Sequence, residues 1–306
     1  MHGGDAVTEA ASYRHDALPY SGEDDFLRRT VAFLSAGASA GEAGLLISSS
    51  KRLLAVRAGL LAAGTDPGGV TLVDTADDAR NPAVVLSVLQ DFVQRADGRR
   101  VRGVGDVAQQ GTAAAAAEAQ MHELLLNTPV TNDWNMWLAC PYDTAGLSPD
   151  ELAAVTGSHP GHRVDMSNAV ASKFGSELPA RPLDAETFPV DARDLGTVRT
   201  IVRTAAAMAG LKDDKVDGFV YAVNEVVSNS IRHGDGRAEL ALWMSDSYLV
   251  CEVQDGGHIQ DPLAGRMSPA LGRTSGRGLW MVNHLCDLVQ VRSPESGTCV
   301  RMFVGP

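Results

Sequence analysis

Apolar and polar positions change rhythm once along the chain, and the change marks two differently built halves. From about residue 15 to 170, stretches with helical spacing alternate with short, nearly all-apolar runs. Residues 26–34 read as an amphipathic helix, 44–48 as a buried strand, 52–63 as a helix and 70–73 as a second strand. A helix over 83–95, a strand over 101–107, an alanine-rich helix over 112–127 and a strand over 136–140 continue the alternation. Strands alternating with helices predict an α/β domain on a mainly parallel sheet.

Residues 176–192 then carry three prolines and no clear period, the pattern of a linker. Beyond it two helices come first, 193–210 and 214–233, followed by strands 238–244 and 248–254 around a turn at Asp246-Ser247. A Gly/Pro-rich loop over 256–275, a helix over 277–286 and a closing hairpin of 288–292 with 298–304 complete the chain. Helices grouped ahead of antiparallel strands predict an α+β sandwich. The expected organisation is a flexible tail over 1–14, a first domain over 15–172, a linker over 173–190 and a second domain over 191–306.

Charge narrows the partners. Lysine and arginine number 26 against 38 aspartates and glutamates, a formal net charge of −12. Phosphate neutralisation needs a basic face, so a nucleic-acid-binding body is not expected. No apolar run approaches the ~20 residues of a membrane span, and the first residues lack the order of a signal peptide. Cys140, Cys251, Cys286 and Cys299 show no CxxC spacing, so free buried thiols in a reducing cytoplasm are expected.

Candidate chemistry concentrates after residue 214. In the helix 214–233, Phe219, Val220, Val223, Val226 and Val227 form one apolar stripe. Glu225 and Asn229 lie four apart on another strip, pairing a proton acceptor with a neutral oxygen donor for a hard cation such as Mg²⁺. The strand ending at Gln254 runs into Asp255-Gly256-Gly257, where a carboxylate stands ready for an exocyclic amine and glycine lets a flat ligand approach. Gly276-Arg277-Gly278-Leu279 opens a helix, exposing N–H groups to an anion, with Arg266 and Arg273 nearby as further cations. Taken singly, each is also what a solvated helix face, a β-turn or a flexible loop would show.

Their order is more specific. NEVVSNSIRHG (224–234), VQDGG (253–257), GRGLWMV (276–282) and Gly297-Thr298 resemble, in sequence, the N, G1 and G2 boxes and closing hairpin of the GHKL ATPases. Within them the chain resembles the anti-sigma serine/threonine kinases, over roughly residues 190–306. The resemblance implies a Bergerat-type sandwich that binds ATP and Mg²⁺. It implies Asn229 as the Mg²⁺ ligand, Asp255 with Thr298 at adenine, and Gly257, Arg273, Gly276, Arg277, Gly278 and Leu279 around the nucleotide. It implies Glu225 as the base that activates a serine of an anti-anti-sigma (STAS-type) partner, and a sigma factor as the sequestered protein. The G1 box departs from the common Asp-x-Gly-x-Gly, reading Asp255-Gly256-Gly257-His258-Ile259. A non-catalytic partner-binding protein is the alternative, and a homodimer through apolar surface near 193–210 stays open. No paired dimerisation helices precede the domain, so histidine autophosphorylation at Met121-His122-Glu123 is not expected.

The first half is quieter. Leu46-Ile47-Ser48-Ser49-Ser50-Lys51 sits where a Walker A loop would, without the glycines that cradle phosphate. HDALPY (15–20), GASAGEAGLL (37–46), RNPAVV (80–85), VRGVGD (101–106), HELLLN (122–127), CPYDT (140–144) and His159-Pro160 resemble the MEDS sensory domain. That resemblance implies a RecA-like fold without nucleotide binding, sensing a small molecule such as a hydrocarbon derivative. His15, His122, Cys140 and His159 are metal-competent types, but no ligand spacing joins them, and they read as structural residues.

Overall fold

The computed structural model describes residues 13–76, 80–107, 112–159, 164–269 and 276–306. The chain folds as two compact units, one made of Met1–Asp78, Leu89–Ala108 and Glu123–Ser167, the other of Ala79–Val88, Gln109–His122 and Asn168–Pro306.

The first unit holds a five-stranded sheet. Its elements in chain order are β1 (Arg14–Tyr20), α1 (Glu23–Ser39), β2 (Ala43–Ser48), α2 (Ser50–Ala62), β3 (Val70–Asp74), α3 (Pro82–Arg95), β4 (Val101–Gly105), α4 (Ala113–Leu125), β5 (Met136–Asp143) and α5 (Pro149–Ser158), with α3 and α4 running on into the residues of the second unit. The strand order is β1-β5-β4-β2-β3 and every pairing is parallel. β2 is buried at all six positions, as expected for an inner parallel strand covered on both faces. Tyr20, Phe26, Leu34, Leu46, Leu53, Val56, Leu60, Val70 and Val104 form one buried cluster between α1, α2 and the sheet.

β1 begins at Arg14, the last residue of the tail expected over 1–14. Arg14 already pairs with Trp137 of β5. The run RHDALPY escapes pattern reading because it is an edge strand with alternating burial at its ends only, and such an edge tolerates Pro19.

The second unit comprises α6 (Ser167–Phe174), β6 (Glu186–Val190), α7 (Leu195–Met208), α8 (Asp213–His233), β7 (Ala238–Ser245), β8 (Tyr248–Asp255), α9 (Arg277–Leu285), β9 (Leu288–Arg292) and β10 (Thr298–Val304). Its sheet runs β6-β7-β8-β10-β9, antiparallel throughout. The stretch read as linker, 173–190, contains β6, which pairs with β7 from Glu186↔Leu242 to Val190↔Ala238. Pro189 on this outer strand removes a ladder donor at little cost, and it hid the strand from pattern reading.

α8 positions the chemistry. Asp213 and Asp214 in its first turn and Arg232 and His233 in its last oppose the helix dipole favourably. Val216, Phe219, Val220, Val223, Val226 and Val227 are all buried. Burying a side chain such as Phe219 contributes about 1.5–3 kcal/mol, which anchors the helix and fixes the opposite strip of Glu225 and Asn229. α7 adds Val198, Val202 and Ala206, spaced four apart and buried.

Candidate functional site

Helix α8 turns the strip of Glu225 and Asn229 toward a cavity of about 820 Å³ in the second unit. Its lining also includes Asp255, Gly257, Gly276, Arg277, Gly278, Leu279 and Thr298. Nine of the ten residues singled out in the sequence for catalysis or nucleotide binding therefore meet in one concavity. The tenth, Arg273, lies outside the described residues.

Glu225 and Asn229 are both half-buried, and Asn229 Nδ2 donates to Glu225 Oε1 at 3.1 Å. That bond turns the carboxamide oxygen of Asn229 the other way, where Arg232 Nη1 stands 3.4 Å off. Arg232 also lines the cavity and was not singled out beforehand. Its signal was available, since position i+3 from Asn229 shares that face of the helix.

At the opposite wall, Asp255 closes β8. Its Oδ1 accepts from Gly257 N at 2.7 Å, a short turn that presents the rest of the carboxylate. Thr298 is the register partner of Asp255 across β8–β10, and its hydroxyl donates to Gly257 O at 2.9 Å. Ser293, unflagged by sequence reading, accepts from Ile259 N at 3.0 Å and sits 3.4 Å from Thr298 Oγ1. The polar groups around Asp255 are thus held in a fixed frame.

The third wall is the start of α9. Gly276 caps it with φ 88°, a left-handed conformation that strains any residue with a Cβ. Gly278 lies so close to Glu225 that a Cβ there would overlap Glu225 Oε1. The first turn of α9, whose N–H groups have no partner within the helix, and the exposed Arg277 line the cavity as an anion site would require. Arg266 is a correction. It is buried, and it donates to Glu118 at 2.6 Å, with Arg292 on the other carboxylate oxygen at 2.5 Å. A cation so paired inside the second unit is not available to phosphates.

The chemistry of the set fits a magnesium nucleotide: one carboxamide oxygen, one carboxylate beside it, a helix N-terminus cleared of side chains by glycine, and an acidic acceptor in a pinned turn.

In the first unit, the position where a phosphate loop would follow β2 is occupied by an ion-pair network. Arg52 donates to Asp106 at 2.9 Å and to Tyr20 Oη at 2.9 Å, and it also pairs with Glu23. This agrees with the glycine-free sequence there. The metal-competent residues turn out differently from the structural reading. His15, Cys140 and His159 converge, and the fourth member is Glu123 rather than His122. All four are buried. Burial works against charge at Glu123, yet hydrogen bonds from His15 and His159 hold its carboxyl well below the usual carboxylate range. Burial, and next to it the Glu123 charge, pushes the Cys140 thiol well up. His159 is raised against its own burial by its bond to Glu123.

The four cysteines are free and buried, as the sparse spacing implied. Among the described residues no helix is long and apolar enough to cross a membrane.

Comparison with known families places the two halves separately. Residues 14–160 match MEDS, the methanogen/methylotroph DcmR sensory domain. Residues 188–304 match the histidine kinase-like ATPase domain. No curated protein matches the chain. The fold agrees, with a parallel α/β sheet in the first half and an antiparallel sheet carrying helices in the second. The chain joins an N-terminal MEDS sensory domain to a C-terminal histidine kinase-like ATPase domain.

Proposed function

We propose that this protein is a cytoplasmic regulator in which a small-molecule-sensing MEDS domain accompanies an ATP- and Mg²⁺-dependent anti-sigma serine/threonine kinase. A sensory domain on one chain with a histidine kinase-like ATPase domain supports a regulatory ATPase or kinase. The observation that carries the finer reading is Glu225 beside Asn229 in the nucleotide cavity, hydrogen-bonded at 3.1 Å. A protein that only binds its partner has no use for a carboxylate at that point.

In this reading Asn229 holds Mg²⁺, which neutralises phosphate charge when bound. Asp255 accepts from the adenine amino group beside Thr298, and Gly257 and Leu279 shape the base pocket. Gly276, Arg277, Gly278 and, from the neighbouring loop, Arg273 receive the phosphates. A serine hydroxyl of a STAS-type partner attacks the terminal phosphorus, Glu225 takes its proton, and ADP leaves. Phosphoryl transfer asks mainly for position and charge neutralisation, which this set supplies. The sigma factor is the second partner, bound and sequestered by the same domain.

The test is calorimetric titration with ATP and Mg²⁺, followed by transfer of labelled phosphate to STAS-type proteins. Wild type should bind ATP in a magnesium-dependent way that Asn229→Ala weakens. Glu225→Ala should still bind ATP and abolish transfer. Persisting transfer in Glu225→Ala would remove the base from its role, and ATP binding with no transfer to any partner would favour a non-catalytic binder.

A further inference from the structure

Two histidines, a cysteine and a glutamate far apart in sequence meet inside the first unit. His15 lies on β1, Cys140 on β5, Glu123 near the end of α4, and His159 directly after α5. Their donor atoms all lie within 4.8 Å of one another, and each residue is at most 7% exposed. His15 Nε2 is 3.2 Å from Cys140 Sγ and 3.3 Å from Glu123 Oε2, and His159 Nε2 is 3.1 Å from the same Oε2. Four donors on a tetrahedral zinc ion, at bond lengths of about 2.0–2.3 Å, stand about 3.3–3.8 Å apart. These three separations fall within a few tenths of an ångström of that spacing, and the remaining pairs lie within 4.8 Å.

The outer bonds of the histidines add a second, independent argument. Asn127 Nδ2 donates to Glu123 O at 2.9 Å, which turns its Oδ1 toward His15 Nδ1 at 3.4 Å. His159 Nδ1 meets Val155 O at 2.8 Å. Each Nδ1 thus has a partner outside the cluster, and each Nε2 is the ring nitrogen that faces it. This is the arrangement of a metal-bound histidine, one ring nitrogen toward the metal and the other on an outer hydrogen bond.

Charge and softness narrow the cation. A thiolate, a carboxylate, two neutral imidazoles and a divalent ion sum to zero, which suits a site removed from water. Imidazole with thiolate suits zinc, and four protein donors make a closed, structural type of site with no open position.

We propose that His15, Glu123, Cys140 and His159 form a tetrahedral binding site for a divalent transition-metal ion, zinc by its donor set, that ties β1, β5, α4 and the end of α5 together. The site is independent of the ATPase reading and uses none of its residues.

Metal content of the full-length protein and its cobalt spectrum test this. Protein purified without chelator should carry zinc at one equivalent per chain. Stripped protein should take up Co²⁺ with the strong visible bands of a tetrahedral site and a sulfur-to-cobalt charge-transfer band. That band should vanish in Cys140→Ser and persist in Cys299→Ser. Glu123→Gln should keep it, with affinity lowered at least about tenfold, since losing a direct carboxylate donor costs no less than the about 10–100-fold typical of outer-shell partners. Thermal unfolding should move up when zinc is returned to stripped wild type. A stripped wild-type chain that is folded by circular dichroism yet binds neither Zn²⁺ nor Co²⁺ overturns the proposal, as does a cobalt spectrum without a sulfur band. If Cys140→Ser does not fold, the wild-type spectrum alone decides between these outcomes.

Discussion

The methyl group of a Gly278→Ala variant would land on the side chain of Glu225. An ideal Cβ at this position meets Glu225 Cδ at 2.7 Å and Cγ at 2.9 Å and overlaps Oε1, and no backbone atom is among its three nearest neighbours. The chain therefore has a soft way out, which is for the Glu225 side chain to swing aside. Against the variant stand an off-rotamer cost of about 0.5–1.5 kcal/mol and the lost Asn229–Glu225 hydrogen bond, about 0.5–1.5 kcal/mol. In its favour stands the helix propensity of alanine over glycine, about 1 kcal/mol. The net loss of stability should lie between about zero and 2 kcal/mol, so the fold survives. Phosphoryl transfer should not survive so well. A displaced general base forfeits about 10²–10⁴ in rate, so single-turnover transfer at saturating ATP should fall at least about a hundredfold. ATP affinity, read by calorimetry in parallel, should change far less. Adding Gly278→Ala to Glu225→Ala should cost no further rate, because both changes act on the same group. A Gly278→Ala protein with wild-type single-turnover rate would falsify the coupling. So would one that loses ATP affinity but transfers normally once ATP is bound, since that would assign Gly278 to the phosphates instead.

Three further outcomes follow from packing and charge. Gly276→Ala should cost about 1–2 kcal/mol in chemical denaturation, from the left-handed backbone, since among the described residues nothing lies within 4 Å of a Cβ there; a stability equal to wild type would contradict the φ of 88°. Glu252 and Arg301 are a buried pair with bonds of 2.8 and 2.5 Å, so Glu252→Ala strands a buried cation and should cost about 3–5 kcal/mol. Glu239→Ala, which removes a half-exposed partner of Arg181, should cost under about 1 kcal/mol; equal losses would refute the distinction. Burial pushes the Cys299 thiol from 9.0 up to about 12 and also raises Cys251 and Cys286. A raised thiol keeps its proton in the native state while the unfolded chain loses it, so stability is full below about pH 9 and falls above it, by about 1.4 kcal/mol per pH unit per thiol. Thermal melts over a rising alkaline series should show that slope, and Cys299→Val should reduce it; an unchanged slope would show that Cys299 ionises alike in both states.

Much of the second unit was legible because its information is local. The apolar stripe of α8 at helical spacing predicted a helix over 214–233, and the structure ends it at His233. The closing hairpin has the expected bounds, 288–292 and 298–304. Glu225 and Asn229 lie one helical turn apart, and Asp255 and Thr298 follow at strand ends, so linear order nearly determines their meeting. Edge strands were less legible. β1 and β6 each have one unpaired side and contain a proline, so burial imposes no period on them. Arg266 failed for a different reason: its partner Glu118 lies 148 positions away, and no spacing rule announces a buried ion pair.

The same physics explains why the four-residue cluster in the first unit was passed over. In its sheet, β1 and β5 are neighbours although three strands separate them along the chain, because parallel strands need crossovers and the order is β1-β5-β4-β2-β3. His15 and Cys140 are thus 125 positions apart and in contact. A search for short ligand spacings presumes that donors come from one turn or hairpin, and a parallel sheet breaks that presumption by construction. Choosing between His122 and Glu123 was equally out of reach, since consecutive helix positions diverge by about 100° and only one can face the strands. Both are buried, and hydrophobic pattern alone treats them alike. What separates them is chemistry available only after folding: Glu123 completes a charge-neutral donor set with Cys140 around a divalent ion, whereas a third imidazole in its place would leave that buried site with a net positive charge. The absence of a spacing motif was therefore evidence about sequence proximity, and in a parallel α/β unit it carries no weight against a site.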